Sequence, residues 1–283
     1  MDKSLIKLFV FIAVAAVLLV LLAPVALGHT STWAEDTWTH VRLAASNRIM
    51  SVPQEADQKG HVVFVMDDGW ETQYTAAYPL FKEYGYTACI AVIPAAVGSD
   101  RYMSYKQLAD LYLDGWDMLN HTYNHFNLAG LSEETQLEQM DGTRAWLRNK
   151  GLSSGSDIVV YPGGAFNQTT LDVIKREGFA AGRSLKSLWL AKSGSSLEDA
   201  EVCNLISGMS FDTVKAAADK AMNNRSTVIF MLHKVEPVTD GTHMQIEAEF
   251  LEQTLGYIKD NDGKLEVVTM TQLLSLISQN GEI

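Results

Sequence analysis

Two adjacent carboxylates, Asp67 and Asp68, follow the apolar run HVVFVM and precede a glycine; His121 and His125 stand four apart behind WDML; His233 ends STVIFML; and Pro162-Gly163-Gly164 follows DIVVY. Each group sits where an apolar segment turns polar. One carboxylate and two imidazoles make a three-ligand set that leaves coordination positions for water and substrate, as in hydrolytic metal sites. A second carboxylate and a third histidine then remain for proton transfer. Taken singly, these signals mean little: DDG is commonly a turn that ends a strand, and an HxxxH pair is commonly two exposed helix residues. Their joint occurrence at segment ends points to metal-assisted hydrolysis.

The elements that must position them alternate. HVVFVM reads as a strand, TQYTAAYPLFKEYG as a helix stopped by Gly85, and YTACIAVI as the next strand. The series continues with YKQLADLYLDG as helix, WDML as strand, SEETQLEQMDGTRAWLRNKG as helix, DIVVYP as strand and TLDVIKREG as helix. Ser132, followed by Glu133 and Glu134, predicts an N-cap for the third of these helices. STVIFMLH and LEVVTM read as later strands around the helix QIEAEFLEQTLGYIKDND, and TQLLSLIS as a short last helix. Such alternation implies a (β/α) barrel or an open α/β sheet, with chemistry at the strand C-termini.

The chain has 283 residues, 47% of them hydrophobic and 20% charged, which suffices for one good-sized core and one catalytic domain. A formal net charge of −12 repels phosphate backbones, so nucleic acid is excluded as a partner and a neutral or cationic polymer is favoured. No protein partner is implied. Cys89 and Cys203, the two cysteines, lie in apolar runs and read as buried free thiols or one disulfide. Lys3 and Lys7 precede an apolar run that ends at Gly28 and whose core, Leu8 to Leu27, is long enough to span a bilayer. It is either a cleaved signal peptide or a signal anchor; both place the remainder outside the cytoplasm.

VFVMDDGW, NHTYNH, VVYPGG and FMLH resemble the successive motifs of the polysaccharide deacetylase (NodB-homology) family, carbohydrate esterase family four. The similarity runs from His61 to Ile277 and includes the text between motifs, such as TAAYPLFKEYGYTACIAVIP and MSYKQLADLYLDGWDMLNHT. It implies a distorted (β/α) barrel at 61–283; ahead of it the apolar run reads as an N-terminal hydrophobic helix at 1–28, and the polar, aperiodic residues 29–60 as a stalk or linker. It further implies Asp67 as general base, Asp68, His121 and His125 as ligands of one divalent metal, and His233 as general acid. Zinc is the expected metal; two imidazoles and a carboxylate also accept Co, Ni or Mn. In the family a backbone N–H behind the motif-three proline holds the oxyanion, here that of Gly163, and Met231 stands where a leucine lines the acetyl pocket. Trp70, Tyr123 and Trp189 are candidates for stacking on sugar rings or for ordinary packing.

Two departures stand out. The family's third motif carries an arginine that orients the base carboxylate; Val160 occupies that position, so the charge partner of Asp67 is missing from the motif. YPGG is closer to the YPYG branch, which includes deacetylases of poly-N-acetylglucosamine, although Gly163 replaces the aromatic residue. The fourth motif, an acidic residue followed by Trp, has no match beyond Trp189 in KSLWLAKS. The resemblance implies removal of N-acetyl groups from an envelope or extracellular polysaccharide. De-O-acetylation, amidase chemistry, or carbohydrate binding with weakened catalysis are the alternatives.

Overall fold

Short runs of branched and aromatic residues with no helical period become central strands buried on both faces, as parallel sheets require. In the computed structural model, which describes residues 32–45, 59–197 and 199–279, they are β1 (Gly60–Met66), β2 (Cys89–Val92), β3 (Asp117–Asn120), β4 (Ile158–Val160) and β5 (Ala181–Arg183), then β6 (Leu188–Leu190), β7 (Ser195–Ser196), β8 (Ala200–Asn204) and β9 (Thr227–Leu232). A small pair, β10 (Lys234–Glu236) and β11 (Gln245–Glu247), precedes β12 (Leu265–Val267). The main sheet runs β7-β6-β5-β4-β3-β2-β1-β9-β8, with β12 added beside the start of β1; all are parallel except the turns into β6 and β7.

The sheet is strongly curled. Four inter-strand steps separate β1 from β5, about 19 Å in a flat sheet at 4.7–4.9 Å per step. Yet Arg183 of β5 touches Asp67 at the end of β1. Side chains of Val63, Val65, Ala91, Leu119, Val160, Leu188 and Ile229 accordingly share one interior cluster. Strand periodicity then sets the site: Val63 and Val65 face inward, so Asp67, two residues on, continues the same file. β1 and β9 pair in parallel register, Val65 with Met231, which brings His233 beside Asp67. Among the described residues no ladder joins β7 to β8, so the expected barrel is an incompletely closed one.

The opposite end of the interior is closed by the last helix, Met270–Gln279, whose Met270, Leu273, Leu276 and Ile277 enter the same cluster. The buried Asp117 carboxylate accepts from Thr271 N at 2.8 Å and Thr271 Oγ1 at 2.7 Å, placing an anion at that helix's N-terminus. Outside the sheet, Ser132 caps helix Glu133–Asn149 as expected, accepting from Thr135 N at 3.3 Å.

Several elements differ from the sequence reading. The helix expected from Thr72 opens with a π-helical turn, Gln73–Ala77, before Tyr78–Tyr84. The expected helix QIEAEF… begins as strand β11 because Gln245–Glu247 pairs with β10. β5 to β8 and helix Phe211–Asn224 were not foreseen: the strands are two to five residues long, too short to display a period. Cys89 and Cys203 are both buried thiols, not joined in a disulfide. Within the span read as stalk, Thr32–Ala45 forms a helix. The apolar N-terminal run lies outside the described residues, among which no helix is long and apolar enough to cross a membrane.

Candidate active site

Asp68, His121 and His125 converge, their ligand atoms all lying within 4.8 Å of one another. Nε2 of His121 and Nε2 of His125 are each 3.3 Å from Oδ1 of Asp68. Two of the three candidate ligands sit on left-handed backbone, Asp68 with φ 77° and His125 with φ 59°, and Thr122 between the strand end and His125 has φ 60°. Non-glycine residues are rare there and such outliers cluster at functional sites. Polar side chains behind the loop hold it. The fully buried Asn120 donates to Met140 O at 2.7 Å and accepts from Thr122 N at 3.1 Å, while Gln139 accepts from Asn124 N at 2.8 Å.

The donor set fits a small divalent cation. Ligand atoms about 2.0–2.1 Å from a tetrahedral ion lie about 3.3–3.4 Å apart, which is the 3.3 Å spacing between Asp68 Oδ1 and each imidazole nitrogen. Nδ1 of His121 lies 2.7 Å from Val160 O, to which it must donate, so in the neutral ring Nε2 carries a lone pair toward Asp68. Asp68 Oδ1 is buried yet receives no hydrogen bond among the described residues. Converging lone pairs around an unsatisfied carboxylate oxygen repel one another unless a cation lies between them. Burial opposes ionisation of Asp68, but the adjoining His121, with the charges of His233 and His125, outweighs it and holds the carboxyl down at about 2. Burial, then the charge of His121, pushes His125 below its ordinary range despite the pull of Asp68, so its ring is neutral and available as a ligand at neutral pH.

Asp67 faces elsewhere. Its Oδ1 pairs with Nη2 of Arg183, a side chain with no exposed surface. The missing charge partner is therefore present after all, supplied from β5 rather than from position 160. Arg183 Nη1 also lies 3.0 Å from Met231 Sδ, so Met231 is an interior side chain packed on the arginine. His233 brings Nε2 to 3.9 Å from Asp68 Oδ2, and its buried Nδ1 has no hydrogen-bond partner among the described residues. The two strand ends are tied by Gln73, whose amide donates to Asp67 O at 2.6 Å and His233 O at 2.9 Å. Gln73 opens the π-helical turn, a feature common at functional sites.

The family model described as polysaccharide deacetylase matches residues 54–182, which include Asp67, Asp68, His121, His125 and Gly163. Over those residues the chain is similar to the polysaccharide deacetylase family. Among curated relatives, YxkH of Bacillus subtilis strain 168, a protein named for the same family, is 25% identical over 150 residues, 53% of this chain and 53% of its own length. The poly-beta-1,6-N-acetyl-D-glucosamine N-deacetylase of Staphylococcus aureus strain MRSA252 is 31% identical over 134 residues, 42% of this chain and 46% of its own length. The chain thus spans about half the length of the curated relatives it matches. In fold it is similar to the Xyl-CE4 domain of a multidomain xylanase from a Trinervitermes trinervoides hindgut metagenome, with TM-score 0.53 and 15% identity over 79% of this chain and 92% of that one. A mutant of the peptidoglycan deacetylase PdaC of Bacillus subtilis gives TM-score 0.51 and 14% identity over 81% and 96% of the two chains.

Against the polysaccharide deacetylase motifs, the remaining candidates fall as follows. Gly163 takes φ 61° in the turn Pro162–Gly164 at the end of β4. Its neighbour Gly164 is required by close approach: a Cβ there would lie 2.4 Å from the Leu185 side chain and 2.9 Å from Leu185 N. That contact seats the β4 loop on the segment just beyond Arg183. Trp189 is buried in a core cluster with Val159 and Ile174, which settles packing as its role, whereas Tyr123 is 36% exposed. Trp70 packs its ring on Tyr102 and its indole Nε1 donates to Asp68 Oδ2 at 2.9 Å. Sequence reasoning missed Arg183, Gln73, Asn120 and Gln139. A basic residue inside the otherwise apolar tripeptide Ala181–Arg183 was the one signal that could have exposed the first.

Proposed function

We propose that this chain hydrolyses N-acetyl groups from a polymer of the N-acetylglucosamine type, using one divalent metal held by Asp68, His121 and His125. The observation that carries the reading is the division of two adjacent carboxylates: Asp68 faces the two imidazoles, and Asp67 is turned away onto Arg183. Identical groups in different environments take different roles. Bound at this triad, a divalent ion supplies Lewis acidity for the acetamide carbonyl and for a water molecule, since an amide is a poor electrophile and an amine a poor leaving group. Asp67 takes a proton from the water as the water oxygen bonds to the acetyl carbon, and Arg183 keeps the Asp67 carboxylate aimed. His233 gives a proton to the departing nitrogen as the C–N bond breaks, leaving acetate and a free amine. The N–H of Gly163 shares the oxyanion, with Met231 as floor of the acetyl pocket. Support for an N-acetylglucosamine polymer comes from the staphylococcal relative and from the YPGG form of the third motif.

The decisive assay adds Zn or Co to the full-length protein and measures acetate and new primary amine together, on N-acetylglucosamine oligomers, peptidoglycan and O-acetylated xylan. Equal yields of both from the N-acetylated substrates, abolished by chelator and restored by metal, are expected. Acetate without amine would move the reading to an ester substrate, and full activity in excess chelator would remove the metal from it.

We also place the domain outside the cytoplasmic membrane, on the strength of the lysine-flanked apolar run ending at Gly28. Protease added to intact spheroplasts is expected to digest it. Protection until lysis contradicts that topology.

A further inference from the structure

Asp68 has two oxygens, and the structure treats them differently. Oδ1 faces His121 and His125 without a hydrogen bond, while Oδ2 accepts the indole N–H of Trp70 at 2.9 Å. Trp70 is itself clamped. Its ring stacks on Tyr102 with centroids 4.3 Å apart and planes at 22°, and the Lys234 ammonium lies 4.2 Å from the Trp70 ring centroid. Beneath the rings the backbones form an isolated antiparallel bridge, Trp70 with Tyr102, flanked by Glu71 N to Arg101 O at 2.8 Å and Met103 N to Gly69 O at 2.9 Å. An indole fixed by a stack, a cation and a two-sided backbone bridge has little freedom to let its N–H wander from the carboxylate.

We propose that Trp70 is a positioning residue for the metal: by occupying Oδ2 it restricts Asp68 to one coordinating oxygen, Oδ1, and keeps the centre at low coordination number. The proposal rests on the metal-site reading above. Partners of ligating groups fix ligand orientation, and losing one costs roughly 10–100-fold in metal affinity. Without the N–H, Oδ2 is free to turn toward the ion, and Asp68 becomes a two-oxygen ligand.

Trp70→Phe keeps an aromatic ring for Tyr102 and Lys234, though a smaller one, and removes the donor. Two readouts on the full-length protein, neither of them turnover, decide the matter: Zn affinity by competition with a chromogenic chelator, and the visible spectrum of the Co(II)-loaded protein, whose intensity falls as coordination number rises. Trp70→Phe is expected to bind Zn about 10–100-fold more weakly and to show a weaker Co(II) band at saturating metal. Zn affinity within twofold of the parent and an unchanged Co(II) spectrum overturn the proposal. Should Trp70→Phe fail to fold, Tyr102→Leu, which keeps the N–H but loses the stack, decides by the same readouts: several-fold weaker Zn binding supports the proposal, and parental affinity overturns it. Asp68→Asn separates the two levels. If it abolishes Zn binding while Trp70→Phe keeps parental affinity and an unchanged Co(II) spectrum, the positioning role fails alone; if it binds Zn like the parent, the metal site itself is wrong.

Discussion

Asp67→Asn is expected to keep its metal and lose its turnover, with kcat falling by roughly 10²–10⁴, the range for removal of a general base. That loss corresponds to about 3–5 kcal/mol of transition-state stabilisation at 1.36 kcal/mol per decade. Asn preserves the shape of Asp67 and its ability to meet Arg183 with an oxygen, but it takes up no proton from water. Asp68→Asn removes the only anionic ligand of the triad, so metal content and activity should fall together. Measuring bound Zn by mass spectrometry beside kcat separates the two variants. Loss of metal from Asp67→Asn with metal and turnover both intact in Asp68→Asn would mean that the roles are exchanged.

The second large effect belongs to Arg183. Removing one partner of a fully buried ion pair leaves the other charge uncompensated, which typically costs about 3–5 kcal/mol. Arg183→Met fills a comparable apolar volume beside Met231 but strands the Asp67 carboxylate, which is 4% exposed. A carboxylate in that position takes up a proton or turns out of the site. Either response disables the base, so kcat should drop by about 10² or more while Zn stays bound, and the melting temperature should fall. The double variant Asp67→Asn/Arg183→Met carries no stranded charge; it should be more stable than Arg183→Met alone and no slower than Asp67→Asn alone. Such non-additivity is the signature of a coupled pair. Parental kcat in Arg183→Met would show that Asp67 needs no cation beside it.

The legibility of this site followed the length scale of its signals. β1 and β9 were readable because each carries five apolar residues in a row ending at the chemistry, and Asp68, His121 and His125 because residue type restricts them to a few roles. Arg183 was not readable in the same way. β5 is three residues long, too short to carry a period, and a lone arginine ordinarily marks a surface rather than a barrel interior. The Val160 carbonyl that orients His121 was invisible in principle, since backbone acceptors exist at every position and only the fold selects one. Gln73 was hidden for another reason: in TQYTAAYPLF it fits the polar face of a helix, and only the π-helical turn rotates it inward onto Asp67 O and His233 O. Departure from the motif at Val160 was legible, but its compensation was not, because the compensating strand is a neighbour in space and not in sequence.

The left-handed backbone at two of the three ligand positions also bears on how this site can drift over evolutionary time. Aspartate and histidine are among the non-glycine residues that enter that region most readily. A glutamate or cysteine arriving at position 68 or 125 would have to rebuild the coordination and also bear about 1–3 kcal/mol of backbone strain at φ 77° or 59°. Exchanges of ligand type, common enough among metal sites at large, would thereby carry an added backbone cost here. In the proposed site, backbone shape adds its own constraint on the donor set to the demands of the ion.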